Sequence, residues 1–127
     1  MRKSVENLAT SKITGGRRHP LRIRRKYEID RFPNEPVNGA QITVTRNVRG
    51  KNTKTALKAI DFVNLSTGDV KVKKTKIIKV LENATNNDYK RRGIITKGAI
   101  LETTEGKCRV VSRPGQSGTV NAVLIKW

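Results

Sequence analysis

Residues 55–65 read TALKAIDFVNL, and the alternation of this stretch changes phase halfway along it. Leu57 and Ala59 share one parity, whereas Ile60 and Phe62 take the other. Side chains of a strand alternate between two faces, so a slip of one residue moves the whole apolar set to the opposite face. Two devices leave that mark: a β-bulge, or a strand that leaves one sheet and enters another. The stretch is therefore a long strand candidate that either carries a bulge or switches sheets along its length.

Working outward, residues 41–46 (QITVTR) alternate, with Ile42 and Val44 on one face, and Ile42 and Phe62 are candidate core positions. Residues 46–54 read as a basic loop around Gly50. Ser66-Thr67-Gly68-Asp69 predicts a tight hairpin turn. Residues 70–81 then carry Lys71, Lys73, Lys74, Lys76 and Lys79, the pattern of a strand pair or one bent strand with lysine on its wet face. An Asn-rich loop over 83–88 leads to a helical turn through residues 88–91. Residues 94–95, 100–104 and 107–112 predict three further short strands, with a turn at Glu105-Gly106. Residues 114–118 read as a loop, and 119–126 (TVNAVLIK) as the closing strand. Short strands separated by glycine-containing turns predict an all-β domain, a small barrel or sandwich with a modest core.

The chain before residue 37 is different. Residues 12–26 read KITGGRRHPLRIRRK, with many cations and no Asp or Glu. Ile13, Leu21 and Ile23 are too few to bury such a segment, and its charges repel one another until a polyanion neutralises them. Gly15-Gly16 and His19-Pro20 interrupt any helix there. Residues 1–9 predict at most a helical turn from Ser4, and 21–30 a helix only on contact with a partner. With Phe32-Pro33-Asn34-Glu35-Pro36 as a linker, the expected division is a basic extension over 1–36 and a compact body over 37–127.

The 127 residues hold 28 Lys+Arg against 10 Asp+Glu, a formal net charge of +18. Such a balance selects nucleic-acid partners through long-range attraction and counterion release. Aromatic residues are sparse (Tyr27, Phe32, Phe62, Tyr89, Trp127), which disfavours a single-strand binder built on stacked rings. No apolar run has the length of a membrane span, and no signal-peptide core is expected. The single cysteine, Cys108, forms no internal disulfide, in keeping with a reducing cytoplasm.

A catalytic set is not legible. His19 is the only histidine and has no Cys/His spacing around it, so no metal and no cofactor are expected. Cys108 lies between Lys107 and Arg109 without a nearby base and reads as a small core residue. The acids are scattered, and Asp61 reads as an outward strand residue. The candidate sites are instead cationic. In the tail they are Lys12, Gly15, Gly16, Arg17, Arg18, His19, Arg22, Arg24, Arg25, Lys26 and Arg31, the glycine pair allowing close backbone approach to phosphate. In the body they are Arg46, Arg49, Lys51 and Lys54 in one loop, Lys90, Arg91 and Arg92 in a second, and Arg113 beside Pro114-Gly115. Arginine forks suit bidentate phosphate contact. Lys71, Lys73, Lys76 and Lys79 read as a solvated strand face or edge protection.

Thr14-Gly15-Gly16-Arg17 followed by Arg24-Arg25-Lys26-Tyr27-Glu28 resembles the N-terminal signature of the archaeal and eukaryotic-type small-subunit ribosomal protein eight family. Residues 91–100 (RRGIITKGAI), 112–116 (SRPGQ) and 120–125 (VNAVLI) resemble its archaeal branch. Two features depart from the pattern: the opening residues lack a Trp/Tyr-Gln-Gly start, and Asp30 stands where the family carries glycine. The resemblance implies a small β-barrel-like body with a basic N-terminal extension in the small (30S-type) ribosomal subunit. It implies ribosomal RNA and neighbouring small-subunit proteins as partners, a structural role, and neither a membrane nor a small-molecule substrate. The alternatives are a DNA- or chromatin-binding basic protein, against which the lack of a recognition helix weighs, and a nuclease or RNA-modifying enzyme whose metal-dependent turnover would need Asp61 or Glu102.

Overall fold

The computed structural model describes residues 10–23, 25, 27, 32–68 and 71–125. The chain divides into two compact units, Met1–Pro33 and Asn34–Trp127. Among residues 10–23 of the first, none belongs to a helix or a strand. The expected turn from Ser4 lies outside the described residues, as do Asp30, Asp69, Val70, Lys126 and Trp127.

The second unit is all-β apart from short helical turns. It begins with β1 (Val37–Asn38) and β2 (Ile42–Asn47), and a 3-10 turn (Arg49–Lys51) leads into β3 (Thr53–Ile60). These strands form a three-stranded sheet of order β1-β3-β2, with β2 antiparallel and β1 parallel to β3. Then come β4 (Phe62–Ser66), β5 (Val72–Glu82), α1 (Asn87–Arg92), β6 (Ile100–Thr103), β7 (Gly106–Val110), α2 (Pro114–Ser117) and β8 (Asn121–Leu124). Strands β4 to β8 close into a barrel in sequence order.

The phase change in TALKAIDFVNL is a switch between sheets. Only Asp61 separates β3, in the open sheet, from β4, in the barrel. The Asp61 carbonyl accepts the Ile77 amide at 2.8 Å, so hydrogen bonding to β5 begins where pairing with β2 ends. β3 is accordingly buried on both faces near its end: Ala56, Leu57, Ala59 and Ile60 are all buried. In β4 only the inward set, Val63 and Leu65, is fully buried, while Phe62 packs partly against the core.

A meander with an odd number of strands brings its first and last strands together in the same direction. This is why β8 pairs with β4 in parallel while every other barrel pair is antiparallel. β5 is a single bent strand. Its first half pairs with β4, and its second half, after register shifts at Ile77/Lys79 and Val80/Glu82, pairs with β6. Bulges of this kind let one strand curl around a narrow barrel. Inside, large and small residues alternate, with Leu65 and Leu101 against Ala99, Cys108 and Ala122.

Several expectations need correction. Ile42 is not core: it is 52% exposed, because it starts an edge strand of the open sheet. Ile94-Ile95 is not a strand. Ile94 makes an isolated bridge to Val37 and Ile95 donates to the Pro36 carbonyl at 2.8 Å, yet both side chains are buried. The loop expected over 114–118 contains α2, whose start Pro114 suits by its fixed φ. The basic loop expected over 46–54 is shorter: Arg46 and Lys54 lie in β2 and β3, and only residues 48–52 turn.

Among the described residues, no buried side-chain polar atom lacks a hydrogen-bond partner. Asn83, at the end of β5, donates to the Ile94 carbonyl at 3.0 Å and accepts from the Thr85 amide at 3.0 Å and the Thr96 hydroxyl at 2.9 Å. This side chain ties the chain after α1 to the barrel.

Candidate nucleic-acid interface

In the first unit, the TGGR motif forms a closed turn. The Gly15 amide donates to the Lys12 carbonyl at 2.9 Å, and the Lys12 amide donates to the Gly16 carbonyl at 2.9 Å. This is the pattern of a three-residue hairpin loop ended by a glycine bulge. Gly15 has φ +81° and a Cβ there would meet nothing within 4 Å, so backbone conformation rather than space calls for glycine. Its amide is engaged inside the turn, so Gly15 shapes the turn and does not itself offer a donor to an anion.

Lys12, Gly16, Arg17, Arg18, His19, Arg22 and Arg25 are all exposed. Leu21 and Ile23 are 93% and 92% exposed, so among the described residues of the tail these apolar side chains form no buried face. Arg24, Lys26 and Arg31 lie outside the described residues.

The second unit carries two separate cationic groups and Arg113. The first is the tip of the β2–β3 hairpin. Register places Arg46 directly opposite Lys54, and the loop between them, closed by the Val48 amide on the Asn52 carbonyl at 2.7 Å, holds Arg49 and Lys51. Arg46 donates to Asn34 Oδ1 at 2.8 Å, and Asn34 Nδ2 donates to the Gly115 carbonyl at 3.4 Å. Asn34 therefore anchors Arg46 beside α2. Arg113 caps α2 with its backbone: its carbonyl accepts the Gln116 and Ser117 amides at 3.0 and 2.9 Å, while its side chain stays exposed.

The second group is on α1. The Asn86 side chain caps this helix by accepting from the Asp88 amide at 2.9 Å, and the Gly93 and Ile94 amides close its other end on the Lys90 and Tyr89 carbonyls. The three cations here are not equivalent. Arg91 pairs with Asp88 at 2.8 Å, and Arg92 pairs with both Asp88 and Glu35. The hydrogen bond that Arg92 donates to Glu35, and then the one it donates to Asp88, raises the Arg92 pKa and holds its charge more firmly. Arg92 thus ties α1 to the segment entering β1, whereas Lys90 is exposed and pairs with no carboxylate among the described residues. All three line a cleft of about 350 Å³ with Asn38, Ile78 and Lys79. The Asp88–Arg92 pair is legible as an i, i+4 spacing, but nothing in the sequence signals Glu35, 57 positions away.

Three of the four lysines on β5 have structural partners. Lys73 pairs with Glu105 at 3.8 Å, Lys79 with Glu102 at 3.3 Å, and Lys74 lies 3.5 Å from the centroid of the Phe62 ring. Burial pushes the Cys108 thiol up to about 11, against a smaller lowering by the Leu101 backbone, so it remains a neutral core group. Among the described residues no group of three His, Cys, Asp or Glu could hold a metal ion, and no helix is long and apolar enough to cross a membrane.

The sequence is similar to a set of archaeal ribosomal proteins. Small ribosomal subunit protein eS8 of Methanocorpusculum labreanum is 48% identical over 118 residues, covering 91% of this chain and 93% of that protein. The protein of the same name from Haloarcula marismortui is 45% identical over 115 residues, covering 91% and 93%. That from Sulfurisphaera tokodaii is 44% identical over 117 residues, covering 91% of each. The family profile described as ribosomal protein S8e matches residues 6–125, spanning both the tail turn and the barrel. This chain belongs to the ribosomal protein S8e family, whose members are structural proteins of the ribosome and not enzymes.

Proposed function

We propose that this chain is a structural constituent of the small ribosomal subunit, in the cytoplasm, and that it holds ribosomal RNA mainly through phosphate contacts from its basic tail and loops. Neighbouring small-subunit proteins are its other partners. The observation that carries this reading is the run of exposed tail cations, with no Asp or Glu between Glu6 and Glu28. Their self-repulsion is relieved by a polyanion, and their forks suit phosphate oxygens. Recognition of this kind reads RNA shape and backbone more than base sequence. The residues assigned to it are the tail cations, Arg46, Arg49, Lys51, Lys54, Lys90, Arg91, Arg92 and Arg113.

The test is binding to transcribed small-subunit ribosomal RNA as salt is varied. Neutralising about seven phosphates gives a slope of log affinity on log salt of roughly −5 to −6. Replacing Arg17, Arg18, Arg24 and Arg25 together by Ala flattens that slope and weakens binding, while the melting temperature of the protein stays unchanged. An earlier melt would refute the division between a binding extension over 1–36 and a body over 37–127. So would slow amide exchange before Pro36 in the protein without RNA. Duplex DNA that competes as well as structured RNA at physiological salt would favour a chromatin-type protein instead. Against that outcome, α1 and α2 have six and four residues and are too short to serve as recognition helices.

A further inference from the structure

Two features of the β2–β3 hairpin tip work against the stability of the isolated fold. The first is the register. Arg46 and Lys54 face each other across the ladder, and like charges directly opposite are destabilising. No Asp or Glu occurs between Glu35 and Asp61, and no carboxylate among the described residues pairs with Arg46, Arg49, Lys51 or Lys54. The strand lysines Lys73 and Lys79, by contrast, do find acids. The second is the backbone. Lys51 has φ +62° and is the one non-glycine residue with positive φ among those described. The left-handed region is unfavourable for a residue bearing a Cβ, and glycine fits it readily.

The closing position of a three-residue hairpin loop takes this region, glycine fills it at Gly15 in the tail, and the lysine at 51 therefore carries strain that glycine would not. A glycine at 51 would relieve it, and an acid at 54 would turn the opposed pair into an ion pair. Both changes would also remove positive charge from the tip. We infer that the hairpin tip, through Arg46, Arg49, Lys51 and Lys54, is a second phosphate-binding element of the folded body, built at the expense of stability and acting independently of the tail. This deepens the RNA-binding reading and rests on it. The ligand chemistry is the RNA sugar–phosphate backbone. The two-stranded ribbon is not a base reader, because the major groove of A-form RNA is too deep and narrow to admit it. The hydrogen bonds of Arg46 to Asn34 and of Val48 to Asn52 hold the tip in shape before RNA arrives, which limits the ordering required on binding.

The experiment compares full-length wild type, Lys51→Gly, Lys54→Glu and Lys97→Glu. Lys97 is exposed in the turn before β6, so its substitution makes the same charge change as Lys54→Glu away from the tip. Each protein is melted without RNA and titrated against transcribed small-subunit ribosomal RNA at several salt concentrations. Lys51→Gly and Lys54→Glu should melt at or above wild type, and Lys54→Glu should bind more weakly than Lys97→Glu. Each tip variant should lose about 0.7–0.9 from the magnitude of the salt slope for every phosphate contact removed. If wild type binds and Lys51→Gly matches it while Lys54→Glu matches Lys97→Glu, the hairpin element is refuted and RNA binding by the tail stands. If both tip variants melt below wild type, the tip is stabilising and the trade between stability and binding is wrong. If wild type does not bind the RNA at all, the broader reading fails first.

Discussion

Ile95 and Ile42 are the same residue in opposite circumstances, and replacing each by alanine separates the packing reasoning from mere composition. Ile95 is 0% exposed and belongs to the core cluster although it lies in no strand. Its amide donates to the Pro36 carbonyl, a bond that alanine retains, so only the side chain is tested. Removing a fully buried isoleucine down to the Cβ costs about 2–5 kcal/mol, the spread reflecting how far the cavity collapses. In a body of this size, a loss of about 3 kcal/mol lowers the melting temperature by roughly 12–24 °C. Ile42 is 52% exposed at the start of β2, so half of its burial term is absent from the outset, and alanine there costs about 1 kcal/mol or less. Thermal melts followed by circular dichroism, with urea midpoints at constant m, measure both. Equal losses, or a larger loss at Ile42, would refute the assignment of the core to the barrel and of β2 to an exposed edge.

Replacing Asn83 by Ala removes one donor and one doubly used acceptor from a buried site, leaving the Ile94 carbonyl and the Thr85 amide without their partner. The expected loss is about 1–3 kcal/mol in urea unfolding, and adding Thr96→Val recovers part of it if the network is coupled. Cys108 should resist thiol reagents in the folded protein near neutral pH and react fully in denaturant, because it is buried and its thiol is pushed up to about 11. Rapid labelling of the native state would show that the barrel opens there. The raised pKa also fixes a sign: the contribution of the neutral thiol is complete below its ordinary value of 9.0 and is lost as pH rises towards 11, so Cys108→Ala should flatten the alkaline decline in stability. Lys74→Ala should have a small effect, since its contact with Phe62 is at an exposed site and worth about 0.5–1 kcal/mol.

Much of the body was legible because its cause is local. The inward pairs Val63/Leu65, Leu101/Thr103 and Cys108/Val110 alternate with period two, and turn residues separate their strands. The helical turn expected over residues 88–91 is α1, which runs over Asn87–Arg92. What was missed depends on distant partners. β1 is two residues long and is a strand only because β3 lies alongside it. Ile94 and Ile95 look like strand residues by composition but act as core plugs, since their backbone partners come from residues 36, 37 and 89. Ile42 looked buried because alternation reports which residues share a face and not whether anything covers it.

The candidate interface divides in the same way. The sequence by itself determined the polyanion-seeking character of the chain, because net charge and the acid-free runs over 7–27 and 36–60 are properties of composition and order alone. It also determined that the strand through Asp61 must switch faces, since a broken period of two admits few geometries. Only the tertiary structure decided which cations are committed elsewhere. Arg92 is held by Glu35 and Asp88, Lys73 by Glu105 in the β6–β7 turn and Lys79 by Glu102 on β6, while Arg46 is set opposite Lys54 with no acid between them. The physical reason is that charge adds along a sequence, whereas pairing depends on separations of a few ångströms that only the closed barrel and the β2–β3 register establish.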